Sequence, residues 1–423
     1  MNINEIKTAI LNGEFDDKFN YLYGDAETAK KRYSSACDCF KDLYPVSGDV
    51  KLFSAPGRTE IGGNHTDHQH GSVLAGSVNL DVIAIVSLND DGKIRIKSEG
   101  YEMDVVDTND LEKNPAEIGR AISLIKGVCA KFKELGCELK GFNAYTTSNV
   151  LKGSGLSSSA AFEVLVGTIL NNLFFEGKVA PIEVAKIGQF AEREYFGKPC
   201  GLLDQMASSL GGFTYADFRN PANPITESID LDITKFGYTL CVVDTGGNHA
   251  DLTDDYAGIT VDCREISNTL GVDFLRDANP DKFYANLASI RRDHGDRAIL
   301  RAFHFFNEQQ RVEDQKAALK AEDFEAFLKL VNASGESSYC YLQNLYSTSA
   351  VTEQGLCLAI ALTKQFLNGE GACRVHGGGF AGTIQAFVKN ETVAEYKATM
   401  DKVFGEGACQ ILKIRKYGGM KVM

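Results

Sequence analysis

The chain has 423 residues, of which 44% are hydrophobic and 24% charged, and its 57 acidic against 44 basic residues leave a formal net charge of −13. A chain of this length is expected to form about two to three domains and to bury a sizeable core. The acidic balance excludes proteins that coat nucleic acid or anionic membrane, because both need a basic surface. It leaves a small polyanionic ligand open, since such a ligand needs only a local positive potential.

The sequence also argues against secreted, membrane-spanning and disulfide-linked classes. No basic segment followed by an apolar one stands at the N-terminus, so no secretory signal is indicated. The longest apolar stretches, such as residues 80–88, are too short to span a bilayer. The 11 cysteines form no C-x-x-C pair, which favours reduced thiols in a cytoplasmic enzyme.

The first half of the chain mixes helix and strand signals. Residues 3–43 are predicted to be helical, with Asp25 as an N-cap within them. The Asp91-Gly92 pair, between an apolar run and an alternating segment, indicates a β-hairpin. The other signals are strands at 50–55, 73–88 and 142–147, and helices at 118–135, 157–175 and 181–196.

The second half begins with a strand-like run at 238–244 and is then mainly helical from 251 to 368. Strands are predicted again at 373–375, 383–388 and 411–415. This order is neither a strict strand–helix alternation nor all-helical, so it predicts an α+β fold. We place two domains at residues 1–212 and 213–423, with about the first 40 residues as a helical extension of the first domain.

A glycine- and serine-rich segment at 153–161 lies between a predicted strand and a predicted buried helix. Glycines allow backbone N–H groups to converge on an anion, and the helix N-terminus adds partial positive charge. The serine hydroxyls suit a helix cap, phosphate oxygens or Mg²⁺, and a flexible loop with a capping serine is the alternative. The spacing matches neither a Walker A loop nor a dinucleotide fingerprint.

Two further segments are rich in glycine or polar groups. Residues 375–383 contain a glycine run that suits a tight turn or a close approach to a ligand. Residues 54–68 place charged and polar groups between apolar strands, which is costly near a core unless the groups are paired or functional. The spacing of His65, His68 and His70 around Asp67 matches no common zinc pattern, so we interpret this segment as a polar ligand-binding loop.

Two carboxylates on the predicted helices near residue 200 are candidates for chemistry. Glu192 lies on one of these helices, and Asp204 follows it among Leu202, Leu203 and Met206. A carboxylate in apolar company is either paired or capping, or it is a base whose pKa is tuned by its surroundings. Its neighbours in the sequence leave both interpretations open.

In their order along the chain, these segments resemble the GHMP family of small-molecule kinases and, within it, the galactokinases. The resemblance rests on residues 56–67, 153–161, 199–205 and 372–382 and runs from about residue 40 to the end of the sequence. It implies a two-domain GHMP-kinase-like fold with the active site between the domains. It also implies an ATP-dependent kinase that phosphorylates the anomeric hydroxyl of galactose.

The resemblance implies a role for each matching residue. Asp204 is the expected general base, Arg58 the charge stabiliser, and Ser159 and Glu192 the Mg²⁺ ligands. The ATP phosphates are expected to lie against Gly153, Ser154, Gly155, Leu156, Ser157, Ser158 and Ser159. The sugar is expected to contact Asn64, His65, Asp67, Gly201 and Tyr256.

The departures from the galactokinase pattern concentrate around the sugar. Glu60 stands where the family has Asn, Asn64 where it has a Glu that contacts the sugar's C6 hydroxyl, and His68 where it has Tyr. Leu151 replaces a proline at the head of the ATP loop. Asn64 still suits a hydroxyl, so galactose is the first expectation, and D-galacturonate and L-arabinose are alternatives.

The expected partners are a sugar and ATP, without nucleic acid or membrane, in a monomer or weak homo-oligomer. One rival is a non-catalytic sensor that binds sugar and ATP, but a sensor is free to lose Asp204 or Arg58, and this chain keeps both. A second is a GHMP kinase for a mevalonate-type or homoserine-type substrate. The segment from Arg58 to Asp67 favours sugars instead.

Overall fold

The computed structural model describes residues 1–44, 48–150, 155–247 and 252–423. Within these ranges the helices are α1 Ile3–Leu11, α2 Asp16–Tyr23, α3 Ala26–Leu43, α4 Ala121–Glu134, α5 Ser158–Phe174, α6 Pro181–Phe190, α7 Leu203–Leu210, α8 Thr253–Leu270, α9 Pro280–Ala285, α10 Leu287–Lys320, α11 Phe324–Ser337, α12 Gly355–Leu367 and α13 Val393–Phe404. Helix α10 is kinked at Gly295. Among these helices, none combines the length and apolar character that crossing a bilayer requires.

The strands form two sheets. They are β1 Val50–Gly62, β2 Ser72–Leu88, β3 Lys93–Ser98, β4 Met103–Asp107, β5 Phe142–Ser148, β6 Phe213–Asp217, β7 Ile225–Ile229, β8 Tyr238–Asp244, β9 Ala372–His376, β10 Thr383–Lys389, β11 Cys409–Leu412 and β12 Met420–Lys421. The mixture of these sheets with the helices confirms the predicted α+β class.

The larger sheet has the order β12-β1-β2-β5-β3-β4, with β6 and β7 attached to β2. Strand β2 is long enough to pair with two neighbours on one side: its first residues pair with β6 and its last residues with β5. Strand β1 pairs with β2 along nearly its whole length, with register shifts at Pro56/Arg58 and Glu60/Gly62. Such irregularities re-aim side chains, and here they lie on both sides of Arg58 and Glu60.

Two local predictions in this region were wrong. The Asp91-Gly92 turn does not close a hairpin, because β5 lies between β2 and β3 and pairs with both of them. Residues 54–62 are not a loop, because they continue β1, and the turn to β2 lies after them. The hairpin prediction failed because the partner strand β5 comes from a later part of the chain. The loop prediction failed because residues 54–62, although polar in composition, pair with the next strand, β2.

The smaller sheet has the order β11-β8-β10-β9, and all its neighbours are antiparallel. Its strand β9 meets β1 of the larger sheet: the Arg374 Nη1 donates to the Ile61 carbonyl oxygen at 2.8 Å. The Gln385 Nε2 of β10 also donates to Thr59 Oγ1 at 2.8 Å. These contacts set the glycine-rich segment after β9 against the polar end of β1.

The sheets show where the chain goes after residue 212. Strands β6 and β7 extend the larger sheet before β8 begins the smaller one, and β12 returns to pair with β1. The domain division at residue 212 stays a prediction.

The N-terminal extension consists of α1, α2 and α3. Asn2 forms a capping box with Glu5, and the Asp25 side chain accepts from the backbone N–H groups of Glu27 and Thr28, which confirms Asp25 as an N-cap. The buried faces of these helices pack on Leu52, Ile83 and Ile85 of the larger sheet. The extension therefore covers apolar sheet surface that would otherwise face water.

A buried ionic cluster ties the extension to the C-terminus. Asp81 and Arg415 are both fully buried and lie 3.1 Å apart, and Arg32 of α3 also donates to the Asp81 carboxylate. Burial alone would raise the pKa of Asp81, but Arg32 and Arg415 hold it below its usual value. The cluster is therefore ionised at neutral pH, and its contribution to stability is lost as the pH falls through that lowered pKa.

Removing one partner of this cluster has a large expected cost. We expect Arg415→Met to lower the free energy of unfolding by about 3–5 kcal/mol, because Asp81 keeps its charge in a dry site with one cation fewer. Lys416→Met is the matched control, since Lys416 pairs with Asp230 at an exposed position and such pairs contribute about 0–1 kcal/mol. Urea unfolding at neutral pH without ligands measures both. Equal losses for the two variants would contradict the prediction.

Candidate active site

Arg58, on β1, connects three parts of the chain. Its Nε donates to Asp204 Oδ1 at 2.6 Å, and its Nη1 donates to the Gly155 carbonyl oxygen. Its backbone N–H donates to the Leu156 carbonyl oxygen at 2.9 Å. The segment that precedes α5 is thus held against β1 by both the backbone and the side chain of Arg58.

Asp204 lies in the first turn of α7 and is paired on both oxygens. Its Oδ2 accepts from Ser157 Oγ at 2.6 Å, while Arg58 holds Oδ1. Burial alone would raise the pKa of Asp204, but Arg58 and the two hydrogen bonds lower it below its usual value. The carboxylate is paired, and 32% of its side chain stays exposed, so a further donor can still reach it.

Ser157 differs from a simple helix cap. It occupies the N-cap position of α5 with a left-handed backbone, φ 60°, and its side chain makes no capping hydrogen bond. The hydroxyl reaches Asp204 instead. The Ser157 hydroxyl therefore does not cap α5, and it makes a contact with the Asp204 carboxylate that the sequence did not indicate.

Glu192 lies in a π-helical turn, Ala191–Phe196, that follows α6. Its Oε1 accepts from Ser159 Oγ at 3.0 Å and from Lys198 Nζ at 2.8 Å. Its Oε2 accepts from Gln205 Nε2 at 2.7 Å, and Glu192 is only 2% exposed. The first turn of α5 and Glu192 therefore meet, as the resemblance implied.

A second buried carboxylate, Glu163 on α5, was missed in the sequence. Its Oε2 accepts from Gln205 Nε2 at 3.0 Å, and no described residue bonds Oε1. Burial, and then the neighbouring Glu192, raises the pKa of Glu163 well above its ordinary value. A lone acid within an apolar helix was a usable signal for Glu163, whereas nothing in the local sequence marked Lys198.

Ser159 and Glu192 fit a Mg²⁺ ion by the chemistry of their donors. A hydroxyl oxygen and a carboxylate oxygen 3.0 Å apart are hard ligands of the kind that Mg²⁺ takes. Mg²⁺ commonly binds through one or two protein ligands, with phosphate oxygens and water completing its coordination. Within the described ranges, no three His, Cys, Asp or Glu side chains converge on an all-protein metal site.

A cavity of about 150 Å³ opens beside the Arg58–Asp204 pair. Its described lining residues are Arg58, Glu60, Gly63, Asn64, His65, Asp67, His68, Cys200, Gly201, Leu203, Asp204, Gly377 and Gly378. The structure thus brings together both predicted catalytic residues and four of the five residues predicted to contact the sugar.

Asn64 and Glu60 form a hydrogen-bonded pair in the cavity wall. Asn64 Nδ2 donates to Glu60 Oε1 at 2.9 Å and to the Gly377 carbonyl oxygen at 2.6 Å, and Asn64 Oδ1 accepts from Asn344 Nδ2 at 2.7 Å. Glu60 Oε1 also accepts from Arg374 Nη2 at 2.7 Å. Two positions that depart from the galactokinase pattern therefore contact each other.

His65 is neutral and has a defined tautomer. Its Nε2 lies 2.8 Å from the Gly378 carbonyl oxygen, which only accepts, so Nε2 carries the proton. Burial lowers the pKa of His65 to about 4. Asp67 lies beside Gly201, where a Cβ atom would come within 2.6 Å of Asp67 Oδ2. A glycine at position 201 thus permits the close approach of two cavity walls.

Tyr256, on α8, packs against the glycine-rich segment at residues 375–383. Its hydroxyl donates to the Gly379 carbonyl oxygen at 2.9 Å, and its ring lies 6.4 Å from that of His65. A Cβ at Gly378 would come within 2.4 Å of the Tyr256 ring. Tyr256 thereby supports the segment that bonds His65 and Asn64.

Of the residues predicted to bind the ATP phosphates, those that the structure describes lie at the N-terminus of α5. Gly155 has φ 70°, Leu156 is fully buried, and Ser158 is the first residue of the helix. Gly153 and Ser154 lie outside the described residues. Gly155 also needs to be small, because a Cβ would come within 2.6 Å of Thr383 Oγ1.

A helix N-terminus, a cation and an ionised carboxylate beside a small polar cavity are features that phosphoryl transfer to a small molecule uses. Comparison with known families agrees: residues 123–212 match the GHMP kinases N terminal domain, and residues 38–88 match the galactokinase galactose-binding signature.

Individual relatives extend the likeness over most of the chain. The chain is 30% identical to the galactokinase of Streptomyces coelicolor, across 86% of this chain and 91% of that protein. It is 30% identical to the galactokinase of Glaesserella parasuis, across 84% of this chain and 89% of that protein. The crystal structure of Lactococcus lactis galactokinase complexed with galactose superposes with a TM-score of 0.77 and 25% identity, across 92% of this chain and 99% of that one.

The chain belongs to the galactokinase family of GHMP kinases. It is a phosphotransferase that uses ATP and acts on a sugar hydroxyl.

Proposed function

We propose that this chain is a Mg²⁺-dependent 1-kinase that transfers the γ-phosphoryl group of ATP to the anomeric hydroxyl of galactose, giving galactose 1-phosphate and ADP. The observation that carries this proposal is the Arg58–Asp204 pair, 2.6 Å apart, which borders the cavity and bonds Ser157 at the N-terminus of α5. Phosphoryl transfer depends on such an alignment of acceptor, cation and phosphate site. Relatives named galactokinase support galactose as the acceptor.

Asp204 acts as the general base. The anomeric oxygen of the sugar attacks the γ-phosphorus, the bond from that phosphorus to the β–γ bridging oxygen breaks, and ADP leaves with the bond electrons. Asp204 takes the proton of the anomeric hydroxyl. Its lowered pKa keeps it ionised at neutral pH. Because the transition state of phosphoryl transfer is loose, this proton leaves late and a weak base suffices.

Positive charge at the transferring group comes from Arg58 and from the metal. Arg58 stabilises negative charge on the transferring phosphoryl oxygens from its position beside Asp204. Ser159 and Glu192 would hold Mg²⁺, which would offset the negative charge of the ATP phosphates. The ATP phosphates lie against the segment from Gly153 to Ser159.

The sugar occupies the cavity beside Arg58 and Asp204. Its proposed contacts are His65, Asp67, Gly201 and Tyr256, whereas Asn64, predicted as a fifth contact, is 0% exposed and bonded to Glu60, Gly377 and Asn344. The 11 cysteines are all free, which supports a reducing compartment and hence a cytoplasmic location.

ADP release with a panel of acceptors tests the proposal. The panel contains galactose, L-arabinose, D-galacturonate, glucose, mevalonate and homoserine, each with Mg²⁺ and with excess EDTA. We expect turnover with galactose only when Mg²⁺ is present, and ³¹P NMR of the product identifies the 1-phosphate. A folded preparation that binds ATP and sugar without releasing ADP would instead identify a sensor. Turnover with mevalonate or homoserine alone would overturn the sugar assignment.

A further inference from the structure

One carboxylate oxygen in the cavity wall is held in place and a second is left open. Glu60 Oε1 accepts from both Asn64 and Arg374. Arg374 is itself fully buried and fixed by donation to the carbonyl oxygens of Ile61 at 2.8 Å and Val375 at 3.0 Å. The Glu60 carboxylate therefore has one orientation, determined by a buried guanidinium.

The other oxygen, Oε2, is available to a ligand. No described residue donates a hydrogen bond to Oε2. This oxygen is also not one of the fully buried polar atoms that lack a partner, so it is accessible. Glu60 borders the cavity, and 10% of its side chain is exposed. Burial raises the pKa of Glu60, while the Arg374 and Arg58 guanidinium groups oppose the rise. The ionised carboxylate that Arg374 stabilises accepts hydrogen bonds and has none to donate, so the group that Oε2 suits is a hydroxyl.

Asn64 is much less able to meet a ligand. Both Nδ2 hydrogens are used, on Glu60 and on Gly377, and Oδ1 accepts from Asn344. The whole residue is 0% exposed. Asn64 is consequently a residue that positions Glu60, and Glu60 is the member of this pair that faces the cavity.

The other charged groups that line the cavity also disfavour a negatively charged sugar. Among the described lining residues, the carboxylates are Glu60, Asp67 and Asp204, and the only guanidinium is that of Arg58. Arg58 and Asp204 are paired at 2.6 Å and offset each other, while Arg374 bonds Glu60 at Oε1 and leaves Oε2 facing the cavity. His65 adds no positive charge at neutral pH, because burial lowers its pKa to about 4. A carboxylate on the sugar would therefore meet the open oxygen of Glu60 and the carboxylate of Asp67, and both would repel it.

We propose that Glu60 determines the sugar class: its Oε2 accepts a hydrogen bond from a hydroxyl of a neutral sugar, and its charge excludes uronic acids. This inference rests on the proposed function and narrows it, because D-galacturonate is removed as a substrate while galactose and L-arabinose are retained. It also explains why this chain has Glu60 and Asn64 where galactokinases have Asn and Glu: the carboxylate that contacts the sugar has moved from position 64 to position 60.

The experiment compares the binding and turnover of galactose and D-galacturonate at pH 8. Wild-type protein is expected to phosphorylate galactose and to bind D-galacturonate at least about 100-fold more weakly in calorimetry. Glu60→Gln keeps an oxygen for Arg374 and Asn64 and turns the open atom into an N–H donor. We expect this variant to lose about 10–100-fold in kcat/KM for galactose, mainly through KM, and to reduce the discrimination against D-galacturonate at least tenfold.

Two further variants make the outcome decisive. Glu313→Gln is the matched control, since Glu313 bonds Lys316 and Tyr215 outside the cavity lining, and it should leave both sugars unchanged. Glu60→Asp keeps the charge but shortens the side chain, so it should weaken galactose binding and still exclude D-galacturonate. If Glu60→Gln does not fold, Glu60→Asp still tests whether Glu60 contacts galactose.

The failures of the two proposals are distinguishable. Wild-type protein that phosphorylates galactose but binds D-galacturonate equally well, or a Glu60→Gln variant with wild-type discrimination, would overturn the role of Glu60 alone. Wild-type protein that turns over neither galactose nor L-arabinose would overturn the proposed function and with it this inference.

Discussion

The Asp204→Asn variant is expected to turn over galactose about 10²–10⁴-fold more slowly than the wild type, the range that a positioned general base contributes. An asparagine still has an oxygen to accept from Arg58, and its amide group remains near Ser157, so the wall of the site is expected to stay in place. The loss should therefore appear in kcat. ATP affinity, measured by calorimetry without sugar, should change less than threefold, because Asp204 has no proposed role in holding the nucleotide.

The control for this variant is Asp217→Asn. Asp217 pairs with Arg276 at 2.6 Å, the same separation as in the Arg58–Asp204 pair, but neither residue is among those that line the cavity. We expect Asp217→Asn to keep kcat within about twofold, since it alters an ion pair away from the reacting atoms. If Asp204→Asn stayed within a few-fold of the wild-type kcat, Asp204 would not be the base.

The Arg58→Met variant carries the second large expected effect. Removing a preorganised donor from the site of developing charge costs about 10²–10³-fold in kcat. A second consequence follows from the pKa of Asp204, which Arg58 lowers against the opposing effect of burial. Without Arg58, burial dominates and the pKa of Asp204 rises. Asp204 must be ionised to act, so activity should be lost at a higher pH as the solution is acidified.

The pH profile therefore separates a charge effect from general damage. We expect the acid limb of kcat/KM to move up by about 1–3 pH units in Arg58→Met, the size of shift that a neighbouring opposite charge produces. Arg276→Met, the control from the matched pair, should leave the limb in place. A lower rate with an unmoved limb would mean that Arg58 does not control the ionisation of Asp204.

Some parts of the fold and site were predictable because their signals are local. The N-cap at Asp25 depends on a side chain that reaches N–H groups two and three residues away, and the structure confirms it. The class of fold follows from the order of strand and helix signals, and it too is confirmed. The segments around Arg58, Ser157 and Asp204 were recognised because each has a characteristic set of residue types at short spacing.

Other parts were not predictable because their partners are distant in sequence. The Asp91-Gly92 turn looked like a hairpin, yet β5 from residues 142–148 lies between the two strands. Glu163 was not predicted to join the site, since its contact with Gln205 links residues 42 apart. The structure similarly connects Ser157 to Asp204 across 47 residues.

The sequence by itself determined that this protein is acidic, of mixed α+β class and equipped with the segments of a small-molecule kinase. The charge and the fold class follow from composition and from the order of strand and helix signals, and the kinase assignment follows from the resemblance of short motifs to the GHMP family. Only the tertiary structure decided that Asp204 is paired by Arg58 and that Glu60 faces the cavity while Asn64 is buried. The physical reason is that Arg374, which orients Glu60 across 314 residues, reaches it only when the smaller sheet packs against β1.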